Sequence, residues 1–89
     1  MVKVLIYYDV SDFDRWKKVF DANVEMRKNA GMLSSHVYRE AEHPNSVGLL
    51  MEWESEEKVQ VFNALPAIRE QRTIAGVIGI PMAFILQPM

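Results

Sequence analysis

Residues 44–81 read PNSVGLLMEWESEEKVQVFNALPAIREQRTIAGVIGIP, and this stretch decides the fold. A turn at Pro44-Asn45-Ser46 leads into an apolar run, Val47–Trp53, with the composition of a strand. Ser55-Glu56-Glu57 is a helix start, a hydroxyl cap followed by acids where the helix dipole favours them. Val59, Phe62 and Leu65 then fall on one stripe at helical spacing. Pro66 has no N–H to give a helix interior, yet it suits the first turn of a new helix. The spacing predicts a break near Leu65 and a second short helix carrying Ile68, Arg72 and Ala75, closed by Gly76. Val77–Pro81 reads as a glycine-punctuated turn into a last strand, Met82–Gln87.

Upstream, Val2–Tyr8 is rich in Val, Ile and Tyr and reads as a strand. Ser11-Asp12-Phe13-Asp14 starts a helix in which Phe13, Trp16, Phe20, Asn23/Val24 and Arg27 share a stripe. Gly31 suits the left-handed position past its end. Met32–Glu40 is a strand, and the turn-rich Glu42–Ser46 joins it to Val47–Trp53 as an antiparallel hairpin. One helical stretch is expected near 12–29 and another, broken at Pro66, near 55–75. The order β-α-β-β-α-β points to an α+β, ferredoxin-like sandwich: a four-stranded antiparallel sheet with its helices on one face.

The 89 residues make one domain, 1–89. A chain this small has a thin stability margin, so oligomerisation would help it. The net charge of −2, with no Lys/Arg block, offers no track for nucleic acid. Cysteine is absent, which removes thiol chemistry and thiolate metal sites. No apolar run approaches the ~18 residues of a membrane span, and MVKVLIYYDV enters a strand pattern directly rather than a leader. A cytoplasmic location is the default expectation.

With helices on one face, the other face of the sheet should be polar at every second residue. Instead Val2/Val4/Ile6 and Leu5, Val47/Leu49/Met51 and Leu50, Met82/Phe84/Leu86 and Ala83/Ile85 are apolar on both parities. Such a face exceeds what a soluble monomer usually exposes. A two-fold homodimer whose two sheets close into a dimeric α/β barrel is the expected solution.

No metal site is expected, because His36 and His43 lie in no ligand-type spacing. No serine lies in a nucleophile-elbow sequence. His36 is the one imidazole inside a strand. With His36 opposite Glu52 in the hairpin, the carboxylate would orient the ring and suit it to proton transfer. A cross-strand pair or a hydrogen bond in the dimer seam is the competing reading. Trp16 reads as a core anchor. Arg27 either packs its stem at the margin of the apolar stripe or reaches a pocket. Of Tyr7 and Tyr8, one faces the helices and lines a cleft, and the other lies in the seam.

The segments SDFDRWKKVFD, MRKNAG, VYREAEHPNSV, LLMEWESEEKVQVFNALPAIRE and AGVIGIP together resemble the short cyclase-like branch of the antibiotic biosynthesis monooxygenase-like proteins, over nearly the whole chain. The resemblance implies the dimeric α/β-barrel superfamily, whose members include cofactor-independent monooxygenases of polyketide quinones, polyketide cyclases and haem-degrading enzymes. It implies a ligand entering between sheet and helices, hence a hydrophobic small molecule and no cofactor; the residues read above as facing such a cleft, Tyr8, Trp16, Arg27, Trp53, Phe62 and Arg72, are the substrate-binding candidates. Trp53, with Glu52 and Glu56 beside it, matches the tryptophan of the family's strand-to-helix junction. Many monooxygenase-type relatives have a histidine nine residues after that tryptophan, where this chain has Phe62. Haem-degrading relatives have a tryptophan there and a haem-ligating histidine ten residues on, where this chain has Phe62 and Arg72. Neither histidine-dependent mechanism is expected. Two readings remain: a cofactor-free cyclase or monooxygenase working by proton transfer, with His36 and Glu52 as catalytic candidates, and a non-catalytic binding or structural dimer. A cleft of ~300 Å³ or more would favour the first, and one plugged by Trp16, Phe20 and Phe62 the second.

Overall fold

The computed structural model describes residues 1–89. In chain order the elements are β1 (Val2–Val10), α1 (Phe13–Ala22), α2 (Val24–Ala30), β2 (Met32–Arg39), β3 (Ser46–Trp53), α3 (Glu56–Asn63), α4 (Pro66–Ile74) and β4 (Val77–Leu86). The strands form one sheet in the order β2-β3-β1-β4, with every neighbouring pair antiparallel. This is the α+β ferredoxin-like arrangement. No helix is long and apolar enough to cross a membrane.

The helix starts follow local chemistry. The Asp12 carboxylate accepts from the N–H of Asp14, and the Ser55 hydroxyl accepts from the N–H of Lys58. Leu65 is extended, with ψ 128°, as the residue before a proline must be, and Pro66 opens α4. The break expected there is present. A second break, at Asn23, divides what was expected as one helix near 12–29. Its cause lies in the side chain of Asn23, whose Nδ2 donates to the Val19 carbonyl at 2.8 Å. That carbonyl is the one an unbroken helix would offer to the Asn23 N–H, so side chain and backbone compete for it. Gly31 follows at φ 121°, and a Cβ there would meet Lys58 Cδ at 2.7 Å.

The last strand begins at Val77, five residues before the expected Met82. Asp9 pairs with Ile78 and Val10 with Val77, and the ladder slips between Tyr7 and Asp9. The residues expected to form a turn are instead part of a strand with an irregularity, and Gly79, at φ 74°, lies in it.

The pleat sorts each strand into two faces. Val2, Val4, Tyr8 and Val10 of β1 are buried under the helices, opposite Trp53, Met51 and Val47 of β3. Lys3, Leu5, Tyr7 and Asp9 point to the other side. That open face also carries Leu50, Met82, Phe84 and Leu86 by their pairing with β1. No residue of β4 is buried, and Ile80 is 95% exposed.

Leu49, 2% exposed between sheet and helices, tests the assignment of faces. Leu49→Ala should cost about 2–5 kcal/mol and lower Tm by more than about 10 °C. Leu33→Ala, at the exposed bulge of β2, should stay within about 0.5 kcal/mol of the parent by calorimetry.

Candidate functional site

The helices do not close fully on the sheet. Between them lies a cleft of about 90 Å³, lined from seven elements: Tyr8 of β1, Trp16 of α1, Arg27 of α2, Trp53 of β3, Phe62 of α3, Arg72 of α4 and Val77 of β4. The α1 stripe places Trp16 and Phe20 against the sheet, and their rings stack at 4.9 Å between centroids. The cleft volume falls short of the ~300–1,000 Å³ usual for a drug-sized ligand, and Trp16, Phe20 and Phe62 are among the side chains that wall it in.

Tyr8 carries the most chemistry. Its phenol oxygen accepts the Trp16 indole N–H at 2.9 Å in a buried contact, with the two rings in edge-to-face contact at 6.0 Å. The oxygen is thus used as an acceptor, and its own proton remains free for donation. Burial raises the Tyr8 pKa above 10.0. The Trp16 hydrogen bond and the charges of Arg72 and Arg27 oppose that rise. The group is a neutral phenol at pH 7.

Arg27 follows the break at Asn23 and turns inward, where it is 7% exposed. Its Nη2 donates to the Phe20 carbonyl at 2.6 Å, and its guanidinium lies 3.6 Å above the Phe20 ring centroid. Burial lowers its pKa, and the neighbouring Tyr8 and Asp21 oppose that fall. Its Nε is buried with no partner, and so is the indole Nε1 of Trp53. Arg72 donates to Asn63 Oδ1 at 2.9 Å, and Gln71 donates to Asn23 Oδ1 at 3.2 Å.

The pleat places His36 and Glu52 elsewhere. His36 pairs with Leu50 rather than with Glu52, and Ser34 is opposite Glu52, because the bulge at Leu33 advances the register. The offset is even, so His36 and Glu52 keep the same face. It is the open face, and neither lines the cleft. His36 borders a separate groove of about 360 Å³ at the β2 edge. Phe20 and Arg27 line both spaces and form the wall between them.

Asn63 and Gln71 belong to the lining and were not singled out from the sequence. Gln71 lies three residues after Ile68 and next to Arg72, so the α4 periodicity held a signal for it. Asn63 ends α3 directly after Phe62, with no comparable signal.

The model of the family described as antibiotic biosynthesis monooxygenase matches residues 1–73. No curated protein matches the chain. Solved structures similar to it include an antibiotic biosynthesis monooxygenase described as putative, from Bordetella bronchiseptica, at TM-score 0.82 and 16% identity, covering 99% of this chain and 96% of that one. SnoaB, a cofactor-independent oxygenase from Streptomyces nogalater, is similar at TM-score 0.77 and 16% identity, covering 99% of this chain and 94% of that one. A monooxygenase from the gene ActVA-Orf6 of Streptomyces coelicolor, in complex with the ligand nanaomycin D, is similar at TM-score 0.68 and 21% identity, covering 99% and 87%. At these identities the likeness is one of fold.

The raised Tyr8 pKa has a consequence for stability. The folded state holds the phenol proton at a pH where the unfolded chain has released it, so stability is full below pH ~10 and falls as pH rises towards the folded value. Denaturant melts of the parent and Tyr8→Phe between pH 8 and 11 check this. The parent should lose stability more steeply above pH ~10 than Tyr8→Phe does.

Proposed function

The chain belongs to the antibiotic biosynthesis monooxygenase family, and from that premise we propose that it acts on an aromatic or polyketide-like small molecule without a cofactor, as a monooxygenase or cyclase. The observation that carries this reading is the Tyr8 phenol, buried in the cleft, held through its oxygen by Trp16 and keeping its proton free. A donor fixed in a dry cleft is suited to an oxygen on which negative charge develops. Arg72 lines the same cleft and adds positive charge.

No imidazole or carboxylate lines the cleft. The reaction therefore suits a substrate acidic enough to ionise at carbon or oxygen with little help, such as an anthrone or a hydroquinone. For an anthrone the overall change is CH2 + O2 → C=O + H2O. The substrate supplies the electrons, one oxygen atom enters the ring ketone and the other leaves as water. In this reading Tyr8 and Arg72 steady the enolate, while Trp16, Trp53 and Phe62 hold the ring system. SnoaB, which shares the fold, is a cofactor-independent oxygenase, and that is consistent with such chemistry. The approximate cleft volume, 90 Å³, favours a second reading, a non-catalytic binding or structural dimer; a multi-ring ligand would require Phe20 to move.

The proposal includes a homodimer and a cytoplasmic protein. Leu5, Tyr7, Met82 and Phe84 are between 41% and 57% exposed on one face of the sheet. Two such faces in contact would bury roughly 800 Å² per partner. His36 and Glu52 then lie in the seam.

Oxygen uptake with an anthrone or aromatic hydroquinone tests the enzymatic reading. Tyr8→Phe should lower turnover about 10²–10³-fold while the protein stays folded. No uptake above the uncatalysed rate across a panel of such substrates would leave the non-catalytic reading standing. Light scattering should give about twice the chain mass of 10.3 kDa. Phe84→Glu should shift it to a single chain, and His36→Ala should weaken the dimer without changing ligand binding in the cleft.

A further inference from the structure

The cleft holds a buried cation with no anion to meet it. Arg27 is 7% exposed, and the Lys/Arg ion pairs of the chain are Lys17–Asp21, Lys28–Glu25 and Lys58–Glu54. Asp21, the acid whose field reaches Arg27, is already engaged by Lys17 at 2.5 Å. Arg27 has the Phe20 carbonyl and the Phe20 ring as partners, and its Nε has none. An uncompensated buried charge costs several kcal/mol, so a fold that keeps one has a use for it. Arg72 adds a second cation to the lining, and no Asp or Glu contributes to it.

The hydrogen-bonding valences show the same bias. The amide oxygens of Asn23 and Asn63 accept from Gln71 and Arg72 and the oxygen of Tyr8 from Trp16, which leaves the Gln71 amide oxygen as the one lining side-chain acceptor without a donor. Donors are left over: the Arg27 Nε–H, the Trp53 indole N–H and the Tyr8 O–H. Fourteen of the nineteen lining residues are hydrophobic, so the remainder of a ligand must be apolar.

Resting on the reading of this cleft as a ligand site, we infer that it selects an anionic aromatic ligand, whose carboxylate or ionised hydroxyl pairs with the Arg27 guanidinium. Arg27 is then a specificity-determining residue, and the ligand enters already charged.

Matched acids and amides test this without any need for turnover. Benzoate and benzamide, then 2-naphthoate and 2-naphthamide, are titrated into the full chain at pH 7, with tryptophan fluorescence and calorimetry as readouts. The acid should bind about ten-fold or more tightly than its amide, as a charge-assisted hydrogen bond in a dry site gives. Arg27→Met keeps the apolar stem and removes the cation, so the ratio should fall to about one. Its Tm should hold or rise, because an unpaired buried charge is gone. Arg69→Met, a charge control on the exposed side of α4, should leave the ratio unchanged. Equal binding of acid and amide by the parent overturns the inference, as does a preference that survives Arg27→Met or an absence of binding by every probe at millimolar concentration. The parent's ratio decides the point even if a variant does not fold. Selective acid binding with no turnover of any substrate supports the inference and sinks the enzymatic reading. Turnover of neutral substrates without acid preference does the reverse.

Discussion

The pleat of β1 and β3 is the constraint on which the rest of the structure depends. Successive side chains of a strand point to opposite faces, and the two central strands share one register, Val4 opposite Met51 and Tyr8 opposite Val47. That register commits Tyr8 and Trp53 to the helices, and Leu5, Tyr7 and Glu52 to the other side. A slip of one residue in β1 would exchange Tyr8 for Tyr7 in the cleft and leave Trp16 without its acceptor. The Tyr8–Trp16 hydrogen bond therefore links the register of the sheet to the seating of α1. Both irregularities of the sheet, at Leu33 in β2 and near Gly79 in β4, lie on edge strands, where a bulge leaves the central pairing untouched.

The fold was legible because its punctuation is chemical and local. Ser55, Asp12 and Pro66 act on neighbouring backbone groups, and each does what its type requires. Asn23 was not legible in the same way. An asparagine inside an amphipathic stripe can face out harmlessly or bond back to the preceding turn, and the sequence does not separate the two. The break it makes matters, since it re-aims α2 so that Arg27 turns inward. The early start of β4 was obscured because Gly79 and Pro81 are turn residues by composition, whereas here they lie in a strand that bends at an edge.

The site was legible in its apolar part and much less so in its polar part. Trp16, Phe20 and Phe62 lie on helical stripes, and a stripe that must face the sheet defines what lines the cleft. For the strands the same reasoning had no purchase. Both parities of β1 and β3 are apolar, so neither Tyr8 over Tyr7 nor the face of His36 could be decided from alternation. The apolar open face was itself the reason for expecting a dimer, and it also removed the signal that would have placed His36. Asn63 and Gln71 act through hydrogen bonds to residues nine and forty-eight positions away, and such distances have no periodicity to read.

The two halves of the molecule place opposite demands on the chain. A domain of 89 residues has little core to spare, yet this one leaves a cleft among its largest side chains and a cation inside it. Filling that space with a leucine or a methionine would stabilise the monomer, as replacing buried ions by apolar groups commonly does. The apolar open face offers compensation from outside the cleft. If burying it in a dimer supplies the stability that the cleft withholds, the site can keep its unpaired donors and its incomplete packing. Assembly and ligand binding then lie on opposite faces of the same strands, with Leu5 and Tyr7 serving one and Val4 and Tyr8 the other. The pleat that separates them by a single residue keeps the two roles independent.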